Sequence, residues 1–275
     1  MLRVKLRISI GILAIVAGLV PLSAAGSAPA WPNSMASTGD SITRAFDMSI
    51  WPWCLFSDCP AYSWSTGSSS SVNSQYRRIL AKNPAISGHA YNDAKTGANM
   101  SALDAQLQTA ASQSVQYVTV LMGANDLCTS TIASMTPTDT FKSEFQQALA
   151  NFFGNDPAAK VYVSSLPDIY QLWWTLHNNG SAQNTWRIYN ICQSMLSASN
   201  TEADRQKVVA REAADNKALA DVCASFPNNC RWDNYAGYNF KFPASDISGI
   251  DYFHPNLQGQ KDIASVTWSA SFWGP

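Results

Sequence analysis

Short runs of apolar and β-branched residues that close on polar motifs constrain this chain's fold more than any other feature. One run ends near Thr38, just before Gly39-Asp40-Ser41. A second is "YVTVLMG" (117–123), which runs into Ala124-Asn125-Asp126, and a third is "KVYVSSLPD" (160–168). A weaker fourth, "GHAYND" (88–93), precedes Gly97. Runs of this kind read as strands of a parallel sheet buried on both faces. Between them lie stretches of helical period. Met100, Leu103 and Leu107 share one stripe, and Phe141, Phe145, Leu149 and Phe152 share another. From about Asn184 to Ala224 the pattern is mostly helical, and a final helix is expected after Pro255 with Asn256 as its N-cap. Strands alternating with helices predict one α/β domain with a doubly wound parallel sheet, whose ligands bind at the carboxyl ends of the strands. The polar motifs at 39–41, 97 and 123–126 would then open at one edge. The stretch "SWSTGSSSSVNS" (63–74) is too short for an interdomain linker and reads as a surface loop.

The chain opens with Arg3, Lys5 and Arg7, an apolar run from Ile8 to about Leu22, and then small residues. This is the pattern of a secretory signal peptide over residues 1–25, with cleavage as late as 30, and the run is too short for a membrane span. Residues 31–275 are long enough to bury a sizeable core as one domain. A net charge of −1 with 13% charged residues lacks the basic stripe that a nucleic-acid partner would require. Six cysteines in a chain with an export signal favour disulfides, although six allow 15 pairings. We expect Cys54–Cys59, Cys128–Cys192 and Cys223–Cys230. By loop entropy the two short links are worth about 2 kcal/mol each and the long one about 4 kcal/mol. No C-x-x-C or H-E-x-x-H spacing suggests a metal site, and no cofactor is expected.

A serine hydroxyl needs a base to become a nucleophile, and the base needs an orienting partner. There are three histidines in the sequence. His254 lies three residues after Asp251 in "GIDYFHPN". On a tight turn, Asp251 can accept the Nδ1 proton of His254 and leave Nε2 facing Ser41. The Asn125 amide and the backbone N–H groups of Ser41 and Gly97 are candidate donors to an oxyanion. Each piece alone reads more simply: Gly-Asp-Ser is common in turns, and a lone histidine is usually structural. Their order and shared strand ends single them out. His89 and His177 read as structural or surface residues, and Asp40, Asp126 and Asp168 as loop organisers.

"GDSI", "TGA", "GAND" and "DYFHP" resemble blocks I, II, III and V of the SGNH, or GDSL, hydrolase family, in the expected order across the mature chain. "GANDLC" and "PDIYQLW" are most similar to its secreted actinobacterial, phospholipase B-like branch. Ile42 stands where the family name has leucine, and Thr96 where serine is frequent. The resemblance implies a three-layer α/β/α domain with a flavodoxin-like parallel sheet. It implies acyl-ester hydrolysis with Ser41 as nucleophile, His254 and Asp251 completing the triad, and Ser41, Gly97 and Asn125 forming the oxyanion hole. Ten tryptophans, concentrated in part in "IWPWCLF" (50–56) and "YQLWW" (170–174), either fill the core under long loops or wall an acyl site. The second reading favours lipid-like or small-molecule esters and brief contact with a lipid interface. Two alternatives stand beside it: a carbohydrate deacetylase using the same residues, and a secreted binding module whose tryptophans stack on sugars or lipids. A secreted, extracellular monomer is expected.

Overall fold

The computed structural model describes residues 29–49 and 53–275. The leader at 1–25 and the start of the "IWPWCLF" stretch lie outside the described residues. Five strands form one parallel sheet: β1 (Met35–Gly39), β2 (Ala90–Asn92), β3 (Tyr117–Leu121), β4 (Lys160–Val163) and β5 (Cys230–Trp232). Their order is β2-β1-β3-β4-β5, the flavodoxin-like winding. The chain leaves β1 for β2 on one side and returns to β3 on the other. The crevice at the carboxyl ends of β1 and β3 is therefore the topological switch point, where such sheets bind ligands.

Pleating sorts the strand residues between two cores. Ala36, Val118, Val120, Val161 and Val163 face one layer, with the helices Leu103–Ser112, Thr138–Asn155 and Glu202–Ala224. Met35, Tyr117, Leu121 and Tyr162 face the other, with helices Gln75–Leu80 and Leu257–Ala270. The expected stripes are buried: Leu103, Leu107, Phe141, Phe145, Leu149 and Phe152 are all sealed from solvent. Each such side chain contributes about 1.5–3 kcal/mol relative to exposure. Asn256 caps the last helix, its side chain accepting from the N–H groups of Gln258 and Gly259. The three disulfides are Cys54–Cys59, Cys128–Cys192 and Cys223–Cys230.

One sequence expectation, the surface loop at 63–74, is corrected, and two features go beyond the sequence reading. The region after Asn184 is broken into helices Gly180–Ile188, Gln193–Leu196 and Glu202–Ala224, with Asn190 and Cys192 in left-handed backbone between the first two. The edge strand β5 follows it, and its three residues, with Arg231 exposed, carry no readable period. The 63–74 segment is a loop only in part at the surface: Ser63, Trp64, Ser65 and Thr66 are buried. Its hydroxyls are satisfied by the sheet, Ser65 Oγ pairing with Thr119 Oγ1 at 2.6 Å and Thr66 Oγ1 with Ser37 Oγ at 2.8 Å.

Candidate active site

β1 ends at Gly39, whose φ of +143° and close approach to β3 both require glycine. A Cβ there would lie 2.2 Å from the Leu121 carbonyl oxygen. Two buried glutamines brace the turn that follows. Gln106 accepts from the Gly39 N–H and donates to the Gly39 carbonyl. From the opposite layer, Gln260 accepts from the Trp64 N–H and donates to the Ile42 carbonyl. The turn lifts Ser41 to the carboxyl edge, where it remains only 6% exposed. Asp40 organises this turn as expected, its Oδ1 accepting from the Ile42 N–H at 2.9 Å.

The partner loop is the tight 248–256 segment. The His254 carbonyl accepts from the Ser248 N–H, and Tyr252 takes a positive φ of 55°. Asp251 Oδ1 accepts from the N–H groups of Phe253 and His254, at 2.9 and 3.0 Å. Its Oδ2 lies 2.5 Å from His254 Nδ1, and His254 Nε2 lies 2.8 Å from Ser41 Oγ. Burial pushes the Asp251 carboxyl up, but the hydrogen bonds and charge of His254 outweigh it and hold the group below its ordinary value. Phe46 and Phe253 stand edge-on to the His254 ring, at 5.1 and 5.0 Å, and fix its plane.

Ser41, Gly97, Asn125, Asp251 and His254 line one cleft of about 340 Å³, together with Phe46, Phe56, Thr96, Tyr189, Ile191 and Phe253. The Asn125 amide donates to the Ala98 carbonyl at 2.8 Å, which orients it and leaves its second N–H available to the cleft. The Asp126 side chain accepts from the Met100 N–H, and its pKa is raised to about 6, first by burial. Asp168 caps helix Ile169–Leu176 and pairs with Lys241. His177 stacks on Trp173 at 4.6 Å, and His89 is exposed just before β2, so neither joins the cleft.

Several supporting residues carry no sequence signal of their own. Thr96 Oγ1 donates to Asp58 at 2.5 Å, and Asp58 pairs with Arg44 at 2.8 Å, tying the 97 loop to the Ser41 turn. Asp47 is fully buried against the same cleft. An aspartate in a turn or a glutamine on a helix looks like a solvated residue until its neighbours are known.

A serine turn at the switch point of a parallel sheet, facing a histidine loop, defines an α/β domain of the kind that carries hydrolases. The chain belongs to the GDSL-like lipase/acylhydrolase family, whose sequence profile matches residues 37–266. Solved structures agree at the level of the fold. A proposed GDSL-like lipase from Parabacteroides merdae is 14% identical with a TM-score of 0.55, covering 89% of this chain and 98% of that one. LAE5, an alpha/beta hydrolase from the metagenome of Lake Arreo, is 17% identical with a TM-score of 0.53, covering 86% and 94%. A variant of Axe2, an acetyl-xylooligosaccharide esterase from Geobacillus stearothermophilus, is 13% identical with a TM-score of 0.52, covering 86% and 93%. No relative among the curated proteins matches the chain.

Proposed function

We propose that the chain is a secreted serine esterase that cleaves acyl esters through a Ser41–His254–Asp251 triad. The observation that carries this reading is the continuous hydrogen-bonded path from Ser41 Oγ through both nitrogens of His254 to Asp251. Ser41 Oγ attacks the ester carbonyl while His254 Nε2 takes its proton, and Asp251 stabilises the imidazolium that forms. The N–H groups of Ser41 and Gly97 and the Asn125 amide receive the oxyanion. Neither backbone N–H is engaged by another described residue. His254 then protonates the leaving alcohol, and water, deprotonated by His254, releases the acid from Ser41. Three disulfides, one of them closing a 64-residue separation, support export from the cell.

The rim supports esters with chains longer than acetyl, lipid esters among them. Phe56 and Tyr189 meet at 6.2 Å and are both more than half exposed, with Trp53, Leu55 and Ile188 exposed nearby in sequence. A second reading, the deacetylation of carbohydrates, is favoured by Thr96, Thr185 and Asn190 in the same cleft and by the fold shared with Axe2. A fluorophosphonate should label wild-type protein on Ser41 and leave Ser41→Ala unlabelled and without turnover. Labelling elsewhere, or retained hydrolysis by the variant, removes the triad. Rates on acetyl, octanoyl and palmitoyl esters then separate the substrate classes: a preference for octanoyl or palmitoyl supports the lipid reading, and a sharp preference for acetyl reverses it.

A further inference from the structure

Asp47 closes the nucleophile turn in left-handed backbone, with a φ of 55°, and none of its surface is exposed. Its backbone N–H donates to the Ser57 carbonyl, and its carbonyl accepts from Ser248 Oγ at 2.7 Å. The side chain uses one oxygen, Oδ1, to accept from the Phe56 N–H at 2.6 Å. The other, Oδ2, is buried without a donor among the described residues, and the side chain lines the same cleft as Asp251 and His254. Two neighbouring buried carboxylates can hydrogen-bond only if one carries a proton. Both Asp251 oxygens already receive donors, two N–H groups on Oδ1 and His254 Nδ1 on Oδ2. Asp251 is therefore the ionised partner.

We propose that Asp47 is a positioning residue of the triad, its Oδ2–H donating to the Asp251 carboxylate and fixing that group behind His254. The inference rests on the triad reading above. Burial first, then the nearby Asp251, raises the Asp47 carboxyl to about 6 against the lowering effects of the Phe56 N–H and His254. Below that pH the residue is a neutral donor, and above it a second negative charge stands behind the Asp251–His254 pair. The titratable groups facing it are Asp251 and His254 from the opposite loop. Arg44 on its own turn and Asp58 on the 53–59 loop are paired with each other.

The test compares kcat against pH for wild type, Asp47→Asn and Asp47→Ala. An asparagine keeps the acceptor for Phe56 and supplies a permanent neutral donor to Asp251. Asp47→Ala should lower kcat about tenfold, the usual scale for losing a hydrogen bond to a charged group. Asp47→Asn should recover most of that loss and move the acid limb of the profile to lower pH. A profile for Asp47→Asn that superimposes on wild type overturns the proposal, as does an asparagine variant no better than alanine. Carboxyl ¹³C NMR of aspartate-labelled protein needs no turnover. An aspartate titrating near 6 that Asp47→Asn removes supports the pairing, and its absence overturns it. This resonance also separates the failure modes, since hydrolysis retained by Ser41→Ala would sink the triad while leaving the Asp47–Asp251 pair to be judged on its own.

Discussion

The Ser41 turn and the histidine loop, 213 residues apart at their point of contact, each bury an aspartate beside the Ser41–His254 pair, and the two acids end in opposite states. In the loop, three donors converge on Asp251 and keep it charged. In the turn, Asp40 has Oδ1 on the Ile42 N–H, while Oδ2 is buried with no partner among the described residues. Burial therefore dominates and raises Asp40 from 3.8 to about 7, against smaller lowering effects from the Ile42 N–H and His254. The number of donors on a buried carboxylate, more than its distance from the serine, decides which acid can stabilise an imidazolium.

The comparison is broken most severely at Asp251. Asp251→Asn leaves the loop's shape largely in place but holds His254 in the wrong tautomer, so kcat should fall about 10⁴-fold. Steady-state hydrolysis of a soluble ester checks this, and a loss below tenfold would move the role of the triad acid elsewhere. Asn125→Ala should cost about 10² to 10³ in kcat, the scale of one oxyanion donor, with little change in KM. An effect confined to KM would assign Asn125 to ground-state binding.

Asp40→Asn is the mildest case for turnover, with a loss under tenfold, and its sharper signature is in stability. Because the folded pKa is raised, the native state holds a proton between about pH 4 and 7 that the unfolded chain has released. Wild-type stability attributable to Asp40 is therefore present below about pH 4 and is lost as the pH climbs to 7, with no further change above. Asp126 and Asp215 are raised as well and slope in the same sense, so the variant is read as a difference from wild type. Thermal melts should show a shallower fall in Tm over this window for Asp40→Asn. An unchanged slope would mean that Asp40 is ionised in the native protein.

Much of this arrangement is legible in the residues. Apolar and β-branched runs mark β3 and β4, and a short one β1, because both faces of the sheet are covered, and the order of "GDSI", "TGA", "GAND" and "DYFHP" lays five candidate site residues along one edge. What escapes the sequence is polar and buried. Ser65 and Thr66 belong to a composition that normally faces water, yet hydroxyls on β1 and β3 pay for their burial. Asp47 gains its meaning from Ser248, Phe56 and Asp251, none of them near enough in sequence to reveal it except through the fold. β5 escapes for a different reason. Its register comes from β4 and from the disulfide at Cys230, so its own three residues need encode little.

The glutamine braces reach Ser41's turn from different layers, Gln106 from the helix Leu103–Ser112 and Gln260 from the helix Leu257–Ala270. A chain with only one layer docked holds the Ser41 turn from one side. The geometry around Ser41 thus belongs to the completed sandwich, set only when the two halves of the molecule have both come home.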